Sequence, residues 1–312
     1  MHLNRREFFK TAILTGSALS AVSPRVLNAQ AEKADAVGAT SGAATRLTDT
    51  HVHLFEWPSR KLRYSRTGAL VEKLRAHGVT QGWAGSFEGL LAKDIGGVNT
   101  RLAEECRREG AGFLLPIGSV NPRWPDWEED LRRCHEVHKM PGIRVHPGYQ
   151  GFALEAPEFA QLLRQAARRG VFVQIVLEME DPRVQHPLLK APTINPAPLV
   201  DLLKNLPAAR VQLLNSWQWA RQPAARPLLE MAQVAHDISG LEGVGAVGRM
   251  IEGRHWYLGG KAPVERVLFG SHAPFYPIEA MLLRLFESSS LTPVQLKAIM
   301  ETNARRWLTG AP

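Results

Sequence analysis

Five consecutive residues, Asp49-Thr50-His51-Val52-His53, carry the densest chemistry in this chain. They close a short run of β-forming residues that starts at Thr45. Residues two apart on a strand share a face, so His51 and His53 present two imidazoles side by side. Neutral imidazole is the commonest protein ligand for metals, and two on one face supply half of a tetrahedral, zinc-type site. A His-x-His pair alone is equally compatible with packed or surface histidines. The rest of the chain must supply the partners.

The elements that would position them alternate eight times between short apolar runs and longer helical patterns. The strand candidates are Arg46–His53, Val79–Gly85, Gly112–Ile117, Gly142–His146, Val171–Glu178, Arg210–Asn215, Val234–Ser239 and Arg266–His272. Between them lie amphipathic stretches at Ala69–His77, Val98–Glu109, Trp127–His138, Pro157–Arg169, Ala197–Asn205, Ala224–Met231 and around Pro263–Glu265, with a last helical region from Pro277 to Leu308. Strands separated by helices imply βαβ units and a parallel sheet. Eight such units over residues 46–312 fit a single-domain α/β fold, the (β/α)8 TIM barrel. A doubly wound open sheet is the alternative, but no Gly-x-Gly-x-x-Gly follows any strand.

In a (β/α)8 barrel the active site lies at the C-terminal ends of the strands. Those ends here carry His51 and His53 on strand one, Arg144 and His146 on four, Glu178 on five, Asn215 on six, Asp237 on seven and His272 on eight. Buried polar groups cost stability unless satisfied, so a rim this polar is expected to be a site. Arg144 is expected to clamp an anionic group of the substrate, or else to pair with Asp237 or Glu178. His146 contacts substrate or caps the Pro147 turn. Asp237 can hold a histidine in one tautomer. Asn215, Trp217 and Trp219 are expected to line the substrate pocket. His186, in the charged stretch after strand five, either reaches over the site or lies on the surface.

The segments Asp49–His53, Gly142–Tyr149, Arg266–Pro274 and Thr302–Arg306 together resemble the amidohydrolase superfamily, specifically its amidohydrolase-2 group of decarboxylase-like and lactonase-like members. The resemblance spans about residues 46 to 309. It implies one divalent metal held by the strand-one histidine pair, a strand-five histidine and a strand-eight aspartate. This chain places Val176 where that histidine is expected, with Glu178 one step nearer the rim, Asn215 at a position often histidine, and His272 where the aspartate belongs. Two outcomes follow. One divalent ion, zinc by ligand type, binds through His51, His53, His272 and Glu178. Otherwise the site works without metal, and the histidines act as acid, base and polarising groups.

The ends and the composition set the remaining bounds. Asn4-Arg5-Arg6-Glu7-Phe8-Phe9-Lys10 resembles a twin-arginine motif; a mildly apolar run to Ser23 and Ala29-Gln30-Ala31 complete an export signal over residues 1–31. The apolar run is too short to span a membrane. The expectation is a periplasmic or otherwise exported protein that meets the twin-arginine machinery, with residues 32–45 as a flexible lead-in. The formal charge is +8; without residues 1–31, which hold four Lys/Arg and one Glu, +5 remains. It is scattered through helical Arg pairs without interleaved aromatics, which argues against nucleic acid as a partner. Two cysteines, Cys106 and Cys134, exclude a disulfide framework and leave one bridge or two free thiols. The sequence leaves homo-oligomerisation open.

These observations predict a hydrolase of a small carbonyl compound such as a lactone, ester or amide, with His272 as base, His146 stabilising developing charge and Arg144 holding an anionic group. A nonoxidative decarboxylase shares the scaffold, as does a metal-independent lactonase. A reading of another class is a periplasmic binding protein on a degenerate enzyme scaffold.

Overall fold

The computed structural model describes residues 46–220, 222–255 and 260–310. The expected export signal, residues 1–31, and the expected lead-in, residues 32–45, lie outside the described residues. The barrel wall runs through β1 (Leu47–Leu54), β2 (Val79–Ser86), β3 (Leu114–Pro116), β4 (Gly118–Ser119), β5 (Gly142–Val145), β6 (Phe172–Val176), β7 (Val211–Leu214), β8 (Val234–Asp237) and β9 (Val267–Leu268). Every pairing is parallel, in the orders β1-β2-β3 and β4 through β9. The Val52–Ala273 bridge closes the wall, helped by Thr50 N to Phe269 O at 2.9 Å and His53 N to Ala273 O at 2.8 Å. This is the (β/α)8 barrel expected from the alternation.

The third expected strand is two short ones. Pro116 has no N–H to give a ladder, so β3 stops there, and the chain steps across to pair with β5 at Gly118. Ile117 N still reaches Ala84 O at 2.8 Å, which keeps the seam tied. The expected helix at Ala224–Met231 shrinks to a 3-10 turn, Arg226–Leu229, with Pro227 inside it. The long final helix breaks into Ile278–Phe286, Pro293–Lys297, a π-turn Ala298–Thr302 and Asn303–Thr309. The ring of helices is otherwise as the periodicity predicts, for example Ile95–Glu109 burying Val98, Leu102 and Cys106. Cys106 and Cys134 are both buried free thiols.

One irregularity matters for the site. Asp49 pairs with Gly82 and Val52 with Ala84, so β1 fits one extra residue between those pairs. Such a bulge re-aims side chains, and bulges gather at barrel rims and beside active sites. Here it turns Thr50, His51 and His53 all toward the barrel axis, where each forms hydrogen bonds with interior groups. Below them, Trp83, Ile117, Phe172, Ala235 and Leu268 fill the floor, with Trp307 packed against them.

On β8 the alternation sends Asp237 inward and His236 outward. The His236 ring holds Ser216 Oγ on Nδ1 at 2.9 Å and lies against Trp217 at 5.3 Å. Burial pulls its imidazole from 6.5 down to about 4. The unfolded chain therefore binds more protons than the folded one between those values, and stability falls as pH drops from 6.5 to 4. The depression is worth about 3 kcal/mol. His236→Gln should flatten the pH dependence of unfolding free energy in that window by up to this amount in denaturant titrations. An unaltered slope would refute the assignment.

Candidate active site

Three imidazoles meet at the mouth of the barrel. His51 Nε2 lies 3.0 Å from His53 Nε2 and 2.9 Å from His272 Nδ1, and all three residues are completely buried. One nitrogen from each falls within 4.8 Å of the others, the one such grouping of His, Cys, Asp and Glu among the described residues. His272 reaches the centre because its backbone is left-handed, with φ of 59°. That conformation costs a non-glycine residue free energy and swings the ring off the end of β9 toward β1.

Hydrogen bonds on the far side of two rings assign their tautomers. His51 Nδ1 lies 2.6 Å from Asp237 Oδ2, while Asn215 N and Ser239 Oγ donate to the same carboxylate. With the carboxylate accepting, Nδ1 carries the proton and Nε2 turns its lone pair inward. His272 Nε2 donates to Met179 O at 2.8 Å, so its Nδ1 lone pair also faces the centre. Two lone pairs 2.9 Å apart repel unless a cation or proton lies between them. The donor set therefore fits a divalent ion, held by His51, His53 and His272 with Asp237 and the Met179 carbonyl fixing ring orientation. Burial, with the Arg144 charge adding, holds all three imidazoles well below 6.5 and hence neutral, as ligation requires. Burial also raises Asp237 to about 7 and Asp49 to about 6, against the hydrogen bonds they accept.

Arg144 does not clamp substrate. Its Nε donates to Gln174 Oε1 and one terminal nitrogen to Val52 O, each at 2.8 Å. The other reaches Trp83 O at 3.2 Å and Thr50 O at 3.5 Å. The side chain is wholly buried beneath His53, and burial lowers its guanidinium to about 9. The alternative ion pair with Asp237 or Glu178 does not form either. Asn215 is likewise spent internally, its side-chain amide donating to Glu178 O and its backbone N–H to Asp237. Trp217 is 1% exposed and donates to Asp237 O, so it packs behind the wall and does not line the pocket. Glu178 is not gathered with the histidines; its carboxylate lies at the rim, 3.5 Å from Gln218 Nε2, because β6 ends at Val176 and the chain has turned outward. His186 is exposed and caps its own turn at Leu188 N.

His146 is the open group. It is 1% exposed, yet neither ring nitrogen has a hydrogen-bond partner. Its ring centroid lies 6.1 Å from that of His53. It faces a narrow recess, open in part to solvent, shared with Tyr149, Val176, Glu178, Met179 and Thr193. Rings of Trp57, Phe87, Tyr149 and Phe275 pack edge to face around the mouth, and His53 stacks on Phe87 at 4.6 Å. Sequence reading did not pick out Gln174, Gln212 or Met179. The two glutamines left a signal, since each interrupts an apolar strand at the level of Arg144. The Met179 contact is made by backbone and leaves none.

Against known proteins, residues 48–252 match a family model described as amidohydrolase, more than half of the chain. The chain belongs to the amidohydrolase family. No curated protein matches it. Solved structures with the same fold include 2,6-dihydroxybenzoate decarboxylase from Rhizobium, 16% identical over 87% of this chain and 100% of that one, TM-score 0.62. Another is 5-carboxyvanillate decarboxylase from Sphingomonas paucimobilis, 14% identical, 85% and 99% covered, TM-score 0.62. A third is a dihydroxybenzoic acid decarboxylase from Polaromonas sp. JS666 with bound manganese and the inhibitor 2-nitroresorcinol, 14% identical, 86% and 97% covered, TM-score 0.63.

This arrangement predicts a graded loss of metal. His51→Ala, His53→Ala or His272→Ala should abolish stoichiometric manganese or zinc, measured by elemental analysis after dialysis. Asp237→Asn should weaken affinity roughly 10- to 100-fold in a chelator competition, and Glu178→Gln should leave it unchanged. Equal loss in the Glu178 variant would return that carboxylate to the ligand set.

Proposed function

We propose that this amidohydrolase-family protein is a metal-dependent nonoxidative decarboxylase of a small, planar carboxylic acid. The observation that carries the reading is the free, buried His146 beside a metal-type histidine cluster that contains no unspent carboxylate. Hydrolysis needs a base to take a proton from water, and Asp49 and Asp237 are both bound up in hydrogen bonds beside the cluster. Decarboxylation needs a proton donor for carbon. The aromatic mouth suits a flat ring, and the fold is shared with decarboxylases of hydroxybenzoates.

When bound, a divalent ion would supply Lewis-acid polarisation of a substrate oxygen; manganese and zinc both suit the family and the ligands. The chain's own groups do the rest. Phe87, Trp57 and Phe275 hold the ring and exclude water. Burial and the Arg144 charge keep His146 well below the ordinary imidazole range in the free protein. A bound carboxylate acts in the opposite sense, so the imidazole takes up a proton together with substrate. As the bond to the carboxyl carbon breaks, its electron pair stays on the ring carbon. His146 delivers its proton there, and carbon dioxide leaves.

The second reading is hydrolysis of a lactone or ester, favoured by Glu178, whose carboxyl lines the same recess as His146. Burial raises that carboxyl, with Asp181 and Glu242 adding, toward the range of a general base. Manganese-loaded protein should release carbon dioxide from at least one member of a panel of hydroxybenzoates. His146→Asn should lower kcat by roughly 10²- to 10⁴-fold with manganese retained. Lactone or ester turnover lost in Glu178→Gln, without carbon dioxide from any acid, would favour hydrolysis instead.

Export is a separate proposal, supported by the twin-arginine motif of residues 4–10. Replacing Arg5 and Arg6 together by Lys should leave the protein in the cytoplasm on cell fractionation. Unchanged partitioning would remove it.

A further inference from the structure

With Arg144 spent inside the barrel, an anionic substrate needs another cation at the mouth. Among the described residues, one cationic side chain is set over a ring of that mouth. The Arg60 guanidinium lies 4.7 Å from the centroid of Phe275, whose ring in turn stacks on His272 at 5.0 Å. Arg60 pairs with Glu180 at 3.0 Å, and the two partners differ sharply: the Arg60 side chain is 41% exposed and that of Glu180 only 1%. No other Lys or Arg ion pair among the described residues joins an exposed cation to a carboxylate so deeply buried.

A second polar group lies one ring further round the collar. The Tyr149 hydroxyl is buried and has no hydrogen-bond partner, and its ring packs edge-on to Trp57 at 5.9 Å. Trp57 packs edge-on to Phe275 as well, at 5.1 Å, so one ring links the phenol to the ring that lies under Arg60. A buried hydroxyl without a partner costs free energy, and this one is a ready donor for an oxyanion that enters the aromatic collar. Arg60 binds the Glu180 carboxylate through one terminal nitrogen, leaving further N–H donors in its planar fork.

We propose that Arg60 and Tyr149 form the anion-recognition subsite of the mouth, in which Arg60 exchanges its contact with Glu180 for the carboxylate of a small planar acid. Glu180 is then an internal competitor. It holds the guanidinium over Phe275 in the free protein, and a neutral ligand gains nothing by displacing it. The step is an exchange of ion-pair partners, with no bond made or broken. This subsite rests on the reading that the substrate is a planar acid, but not on what happens to the acid once bound.

The test is calorimetric titration of the manganese-loaded protein with benzoate and with benzamide, its neutral counterpart of the same shape. Arg60→Gln should weaken benzoate roughly 10- to 100-fold and change benzamide less than twofold. Tyr149→Phe should weaken benzoate by roughly tenfold or less. Glu180→Gln, which removes the competitor, should tighten benzoate severalfold, a direction that mere structural damage would not produce. Thermal melts of each variant check folding. The subsite is overturned if benzoate and benzamide weaken equally in Arg60→Gln, if benzoate is unaffected there, if Glu180→Gln weakens it, or if the unaltered protein shows no saturable benzoate binding. Charge-selective binding without carbon dioxide release from any acid removes the decarboxylase reading and leaves the subsite standing.

Discussion

The site stands on a polar plug inside the barrel. Arg144 donates to Gln174, Gln174 donates to Gln212 and to Thr50 O, Gln212 donates to Thr50 Oγ1, and that hydroxyl donates to Phe269 O. Five strands or their extensions, β5, β6, β7, β1 and the end of β9, are joined in one level. Inside a low-dielectric barrel an unpaired member would cost far more than a paired one gains, so the network holds only when every strand is in register. The backbone makes room for it. A Cβ on Gly85 would fall 2.7 Å from an Arg144 nitrogen, and one on Gly270 the same distance from Asp237.

The plug also sets the electrostatics above it. A guanidinium held beneath His53, with two carboxylates at Asp49 and Asp237 alongside, gives the cluster a positive floor and a negative flank. The floor disfavours protonated imidazole, and the flank accepts the proton of His51 at the nitrogen that faces away from the centre. A neutral His51 with its lone pair inward results from this division, as the Met179 carbonyl arranges for His272. Desolvation alone would lower the imidazole values; it would not choose which nitrogen keeps its proton.

Much of this was legible beforehand, because strand alternation and rim chemistry are local properties. Eight apolar runs between helices implied the barrel, and His51, His53 and His272 do converge at its mouth. What failed was the direction of long side chains. Arg144 stands at the end of β5, yet its chain runs inward along the barrel axis to reach carbonyls on β1 and β2. Glu178 lies past the end of β6, where the strand face no longer governs. Trp217 and Asn215 follow β7 through a residue of positive φ, Asn215 at 51°, which turned both away from the pocket. The break of the third strand at Pro116 is written in the sequence, since proline has no N–H to continue a ladder. Arg60 and Tyr149 sit in loops whose path no periodicity describes.

The charge count of the mouth ties these parts together. Three neutral imidazoles offer an ion no compensating charge, Arg144 adds one positive charge below, and Asp237 and Asp49, when ionised, bring two negative charges to the flank. A divalent ion in that setting would leave the mouth net positive, and the aromatic collar of Trp57, Phe87 and Phe275 excludes the water that would otherwise screen it. Such a cavity favours a ligand that brings its own negative charge on a flat apolar frame. The Arg60–Glu180 pair answers the same imbalance at the rim: it is neutral as a pair, so it adds no charge until an incoming anion separates it. A site built this way would admit acids by compensation within the pocket and offer a neutral ring of the same shape no such gain at the entrance.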